Sequence, residues 1–275
     1  MTTTDAVDID TGTSELLCSV RGRVAVVTLN RPEARNARSN QLTPALRRIV
    51  KRCADDPDIG ALLITGAGTA FCAGGDVKIM ARRSGQPRSR EERVADLRLK
   101  QRTLTGALVG LRKPTIAALP GPAAGAGLAI ALACGIRIAA ESAFVTTAYV
   151  RIGFSGDYGI NWLLTRAVGS AREKELMFFS ERIDAARCER IGLVNRVVPD
   201  GSLQRDAFAA ARLLANGPAT AFALIKDNLD DALSVDLATA LDREADRMIA
   251  AGQSRDHKKS LHAFVESHVP KSSLC

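Results

Sequence analysis

Aromatic side chains are scarce in this 275-residue chain, at 4% of the total with one tryptophan and two tyrosines. A core must therefore be assembled mainly from alanine, valine, leucine and isoleucine. The three histidines, His257, His262 and His268, all stand near the C-terminus, which leaves the body of the chain without a histidine base or metal ligand. The six cysteines, at 18, 53, 72, 134, 188 and 275, contain no CxxC pair. That pattern argues against a metal site or a disulfide framework and points to a reducing, cytoplasmic compartment. No basic residue precedes Arg21, which fits neither a secretory signal nor a transit peptide.

Long uncharged runs are also few. The one that raises the question of a membrane is Pro114 to Ile136, 23 residues without a charge. Pro120, Pro122 and glycines at 121, 125, 127 and 135 interrupt it, and alanine fills much of the rest. It reads as a buried strand, a tight loop and a buried helix, and no membrane is expected.

What is present is the composition of a globular protein, 46% hydrophobic and 25% charged, with a net charge of +8. The surplus is concentrated: between Lys78 and Arg102 stand nine basic residues against three acidic ones. Such a patch suits a phosphorylated small molecule, anionic lipid or nucleic acid, or is a solvated surface. No aromatic is interleaved with these charges, so a platform for stacking bases is missing and nucleic acid is disfavoured.

Apolar runs at Val24–Leu29, Ala61–Thr65, Thr115–Leu119, Ile136–Ala139 and Leu193–Val198 predict strands. Leu42, Leu46, Ile49, Val50 and Cys53 recur at helical spacing, with Ser39 or Asn40 as the cap. Further helices are expected over 88–110, 124–134, 161–168, 170–180 and 184–191, the last two capped by Ser170 and Asp184. This alternation predicts an α/β fold. After Pro199 only helical patterns follow. The expected organisation is a disordered tail over 1–14, an α/β core over 15–200 and a helical domain over 201–275.

Two glycine turns, Ala73-Gly74-Gly75-Asp76 and Gly125-Ala126-Gly127, each follow a strand and open a helix. Neither is a dinucleotide fingerprint, because Ile130 stands where the third small residue belongs. Gly153-Phe-Ser155-Gly-Asp157 lacks the last glycine of a nucleophile elbow. The two turns either present unpaired amides that stabilise a developing negative charge or merely permit tight packing.

Asn30-Arg-Pro32 with Asn36-Ala37, Ala70-Phe-Cys-Ala-Gly-Gly-Asp76, Pro120-Gly-Pro-Ala-Ala-Gly-Ala-Gly127 and Ile183-Asp-Ala-Ala…Ile191-Gly-Leu-Val-Asn195 resemble the enoyl-CoA hydratase/isomerase (crotonase) superfamily. The resemblance runs from about Val24 to Val198 and suits the helical tail. It implies a crotonase-like spiral of ββα units with a C-terminal all-helical trimerisation domain, assembled as a homotrimer or a dimer of trimers. The implied substrate is an acyl-CoA thioester; coenzyme A enters as part of it and no other cofactor is implied. The two amides that polarise the thioester carbonyl in the family fall on Gly75 and Ala126. The CoA-binding positions fall on Arg35, Ala37, Ala70, Ala73 and Asp76, with Asp76 also suited to capping the helix after it.

The chain departs from the family's two-glutamate hydratases. Ala129 and Tyr149 stand where the glutamates belong, and they remain as possible substrate contacts. Asp157 stands where some isomerases of the superfamily place a working aspartate, although an aspartate there also suits a helix cap. A dehalogenase would need a histidine as well. The favoured expectation is double-bond isomerisation by a single carboxylate. The alternatives are conventional hydration of a 2-enoyl-CoA and a non-catalytic acyl-CoA- or RNA-binding member.

Overall fold

β-branched and leucine-rich runs become strands here because they are covered on both faces. In the computed structural model, which describes residues 6–76 and 88–268, β3 (Val24–Leu29), β4 (Ala61–Gly66) and β5 (Thr115–Leu119) pair in parallel. β4 and β5 are buried along their whole length, as parallel strands covered by helices must be. β7 (Ile136–Ala140) and β10 (Arg196–Val198) continue the sheet in parallel. β10 is shorter than expected because the amides of Leu193 and Val194 turn back to donate to the Cys188 carbonyl.

Two strands that the sequence pattern did not announce complete the other edge. β1 (Val7–Asp8) and β2 (Leu16–Arg21) pair antiparallel with each other, and β2 pairs with β3. Residues 6–14 are thus not a disordered tail. Val7 and Asp8 pair with Val20 and Ser19, and Ile9 and Thr11 are buried. Their polar composition concealed an edge strand held by main-chain bonds, which carry no side-chain signature.

A second, small sheet joins β6 (Ala123–Ala124), β8 (Phe144–Thr146) and β9 (Ile183–Asp184). Successive turns of chain give one strand to the large sheet, one to the small sheet, then a helix. β5, β6 and the helix Ala126–Ala133 form one such turn; β7, β8 and the helix Ile160–Phe179 form the next. Cys72 extends the small sheet by a parallel bridge to Ala123. The helix Ala126–Ala133 is buried at every residue, which accounts for the uncharged run: it lies in the interior of the first compact unit. Among the described residues no single helix is long and apolar enough to cross a membrane.

The helix Leu42–Asp55 buries Leu42, Leu46, Ile49, Val50 and Cys53, worth about 1.5–3 kcal/mol for each large aliphatic side chain. The N-cap position falls on Gln41, two residues beyond the expected Ser39, but the Ser39 Oγ accepts from the first helical amide, that of Leu42, at 2.9 Å. The expected 88–110 helix runs as Arg90–Gln101, a π-helical turn Arg102–Gly106 and Ala107–Gly110. The helices expected over 161–168 and 170–180 abut at Gly169, whose φ of 77° breaks the ladder. Asp184 caps the helix Ala185–Arg190 as expected, accepting from the Arg187 amide at 2.7 Å.

Strands end at Val198, yet the first compact unit runs from Met1 to Leu214 and the second from Ala215 to Cys275. The division lies beyond residue 200 because the helix Leu203–Ala215 buries Leu203, Ala207 and Ala211. The second unit contains the helices Ala219–Asp231, Leu237–Gln253 and Arg255–His268. Asp231 ties the first two together through Arg243 at 2.8 Å and Arg247 at 2.6 Å.

Candidate active site

The two glycine turns meet because of the small sheet. Cys72 pairs in parallel with Ala123, and the Ala124 amide donates to the Cys72 carbonyl at 2.9 Å. Three residues beyond each partner stand Gly75 and Ala126 on neighbouring strands of chain. The approach is close: a Cβ on Gly74 would lie 2.6 Å from the Ala124 carbonyl oxygen and 3.3 Å from the Ala126 nitrogen. A Cβ on Gly127 would lie 2.2 Å from the Cys72 carbonyl oxygen. Both positions exclude any larger residue. Ala126 is the first residue of its helix, where the amide has no intrahelical partner. Among the described residues, no acceptor is paired with the amide of Gly75 or of Ala126.

Asp157 occupies the same cavity as Gly75, a space of about 390 Å³. It is not a helix cap. The helix begins at Ile160, its N-cap is Gly159, and no side chain caps it. The Asp157 carboxylate instead accepts from the Tyr149 hydroxyl at 2.7 Å and faces Arg38 Nη2 at 3.6 Å. Burial, reinforced by the Asp157 charge, pushes the Tyr149 phenol far above its ordinary range, so it remains a donor. Tyr149 is therefore committed to Asp157. Ala129 is fully buried within its helix and offers no group that can move a proton.

The positions matched to CoA binding cluster beside the turns. Ala37 and Ala70 are buried, and the Ala73 amide donates to the Arg35 carbonyl at 2.9 Å. Asn36, buried with φ of 56°, stitches this region: it accepts from the Arg31 amide and donates to the carbonyls of Ala67 and Ala70. Arg35 is exposed. Asp76 faces Arg31 at 3.4 Å, and the residues after it lie outside the described ones, as do Lys78, Arg82 and Arg83 of the basic patch. The described part of that patch opens with a capping box between Ser89 and Glu92. Within it, Asp96 binds Lys100 at 2.6 Å.

Sequence reasoning missed Arg38 and Tyr158. Arg38 follows Asn36-Ala37 directly, and its pairing with Gly75 arises only when the turn 72–75 is laid against it. Tyr158 stands next to Asp157 with a left-handed φ of 53°, its amide donating to Gln101 Oε1 at 2.9 Å. A non-glycine residue in that conformation is a signal that only the backbone reveals.

A spiral of ββα units with two glycine turns laid side by side, one of them sharing a cavity with Asp157, defines the class: this is an α/β enzyme of the crotonase fold. The comparisons with known proteins narrow it. The enoyl-CoA hydratase/isomerase family model matches residues 20–272. The chain is similar to the 1,2-epoxyphenylacetyl-CoA isomerase of Escherichia coli K12, 35% identical with 93% of this chain and 97% of that protein covered. It also superposes on the crystal structure of an enoyl-CoA hydratase from Polaromonas sp. JS666, with a TM-score of 0.86, 30% identity and coverage of 93% and 98%. An enoyl-CoA hydratase from Bacillus anthracis aligns with a TM-score of 0.84 at 31% identity, covering 93% and 98% of the two chains. The chain belongs to the enoyl-CoA hydratase/isomerase family.

Proposed function

We propose that this enzyme, which as a family member acts on acyl-CoA, isomerises the double bond of an enoyl-CoA thioester. The observation that carries this reading is the environment of Asp157. Its carboxylate lies in the cavity that Gly75 lines and is fixed by the Tyr149 hydroxyl. The residues matched to a hydratase's two glutamates are a buried alanine, Ala129, and Tyr149.

The chemistry follows from those groups. The amides of Gly75 and Ala126 donate to the thioester oxygen as negative charge develops on it, a contribution of about 3–4 kcal/mol for one such donor. Asp157 removes a proton from the α-carbon of a 3-enoyl thioester, and the electrons pass into a dienolate held by the two amides. The carboxylic acid formed returns that proton to the γ-carbon, giving the 2-enoyl isomer and restoring Asp157. One base suffices because acid and base are the same group at successive moments. Hydration needs a water activated on one side and a proton delivered on the other, and Ala129 supplies neither.

Asp157→Asn keeps the shape and removes the base. The expected result is retained CoA-ester binding with loss of isomerisation and of deuterium uptake at the α-carbon. Wild-type exchange in that variant, or brisk hydration of a 2-enoyl-CoA by the native enzyme, overturns the lone-base mechanism.

A further inference from the structure

Three buried side-chain atoms without a hydrogen-bond partner belong to residues lining the cavity of Asp157: Arg38 Nε, Arg47 Nε and Tyr158 Oη. Buried polar groups are almost always paired, and each exception calls for a cause. Here three fall together, and all three can donate. Arg38 lies over the Tyr158 ring at 4.1 Å from its centroid. Its 3.6 Å approach to Asp157 is longer than a charge-assisted hydrogen bond, so most of its five N–H donors stay uncommitted. Burial pushes the Tyr158 phenol above its usual range, which keeps its hydrogen in place.

The cavity's acids are already occupied. Asp76 faces Arg31, Asp96 binds Lys100, and Asp157 faces Arg38. Among the described residues Arg47 has no carboxylate partner. Arg38, Arg47 and Lys100 match Asp76, Asp96 and Asp157 in number around the cavity, so what is left over is hydrogen-bond donors, those of Arg47 among them, and an anionic oxygen is a group that satisfies them. Its place relative to the thioester is also set. The Arg38 amide donates to the Gly74 carbonyl at 2.8 Å, and Arg38 pairs with Gly75, so the donors adjoin the turn assigned to the thioester oxygen.

We propose that Arg38, Arg47 and Tyr158 bind a carboxylate carried by the acyl group, so that the substrate is a carboxyacyl-CoA thioester. This rests on the isomerase reading for its reaction but not for its binding, and the test separates the two. The turnover of 3-hexenoyl-CoA is compared with that of the same chain ending in a carboxylate. The native enzyme is expected to favour the carboxylate by about tenfold or more in kcat/KM, which is 1.4 kcal/mol. Arg47→Met, and separately Tyr158→Phe, which keeps the ring under Arg38, should each collapse that ratio through KM. Equal kcat/KM for the two esters in the native enzyme, or a ratio unchanged in both variants, overturns the proposal. So does Arg47→Met weakening free coenzyme A as much as the carboxylate ester, since the anion would then be a CoA phosphate. If the native enzyme isomerises neither ester, the isomerase reading fails. Calorimetry with the saturated pair, adipyl-CoA and hexanoyl-CoA, then decides this proposal: tighter adipyl-CoA binding supports it and equal binding overturns it.

Discussion

The carboxylate of Asp157 is held at two points, by the Tyr149 hydroxyl at 2.7 Å and by the Arg38 guanidinium at 3.6 Å. In the proposed role of base, a carboxylate restrained in this way keeps one orientation, and geometry of that kind is worth much of a catalytic barrier. Tyr149→Phe removes one restraint without opening a cavity. Its expected effect is a fall in kcat of about tenfold, or 1.4 kcal/mol, with KM little changed; a kcat equal to that of the native enzyme would mean that Arg38 alone orients the carboxylate. The same two residues permit a spectroscopic check. The chain has two tyrosines, Tyr149 and Tyr158, and burial raises both phenols above the ordinary value of 10.0. Burial disfavours the charged phenolate, so titration of the folded protein should give no tyrosinate absorbance on passing pH 10. A tyrosinate forming there would show that one of the rings is wet.

At the scale of the elements, the two glycine turns have different physical needs. Gly125 has φ 51° and ψ −125°, a backbone region essentially closed to other residues. Space is not its problem, since a Cβ there would meet nothing nearer than the Thr147 carbonyl oxygen at 3.5 Å. Gly127 is the reverse case, blocked by the Cys72 carbonyl at 2.2 Å. Gly125→Val is therefore expected to fold with reduced stability and to lose most activity as the Ala126 amide rotates. Gly127→Val is expected to forfeit the pairing of the two turns and to fail to fold. Circular dichroism separates the two outcomes, and native kinetics in Gly125→Val would remove Ala126 from the oxyanion-binding role.

At the scale of the whole molecule, the second unit lacks a core of its own. None of the described residues after Ala215 is buried. Leu229, Leu237, Met248 and Ile249 are each at least 60% exposed. Large apolar side chains left in water in this number suit an interface. A second and third copy of this chain would cover it, and a homotrimer or a dimer of trimers is the expected assembly. Sedimentation equilibrium should return three or six times the chain mass of 29.2 kDa. A monomer at micromolar concentration would overturn that expectation, and Leu237→Asp should shift an assembled protein toward smaller species.

Elements with strong periodic signals were legible in advance. The strand Val24–Leu29, the helix Leu42–Asp55 with Ser39 at its start and the Asp184 cap all follow from local rules of spacing and hydrogen bonding. β1 was not legible, because an edge strand is specified by main-chain pairing with β2 and not by its own side chains. The ordered motifs likewise pointed to the family and to Gly75, Ala126 and Asp157 as candidates. Sequence left Asp157 as either a cap or a base, since both uses suit an aspartate before a helix. Tertiary structure removed the cap, placing Gly159 at the N-cap and bringing Tyr149 and Arg38 to the Asp157 carboxylate. It also gathered Arg38, Arg47 and Tyr158 around one cavity. Periodicity acts over neighbouring residues and is written in the chain. A cavity is made by residues more than a hundred positions apart, and which of them meet depends on the register of the sheets.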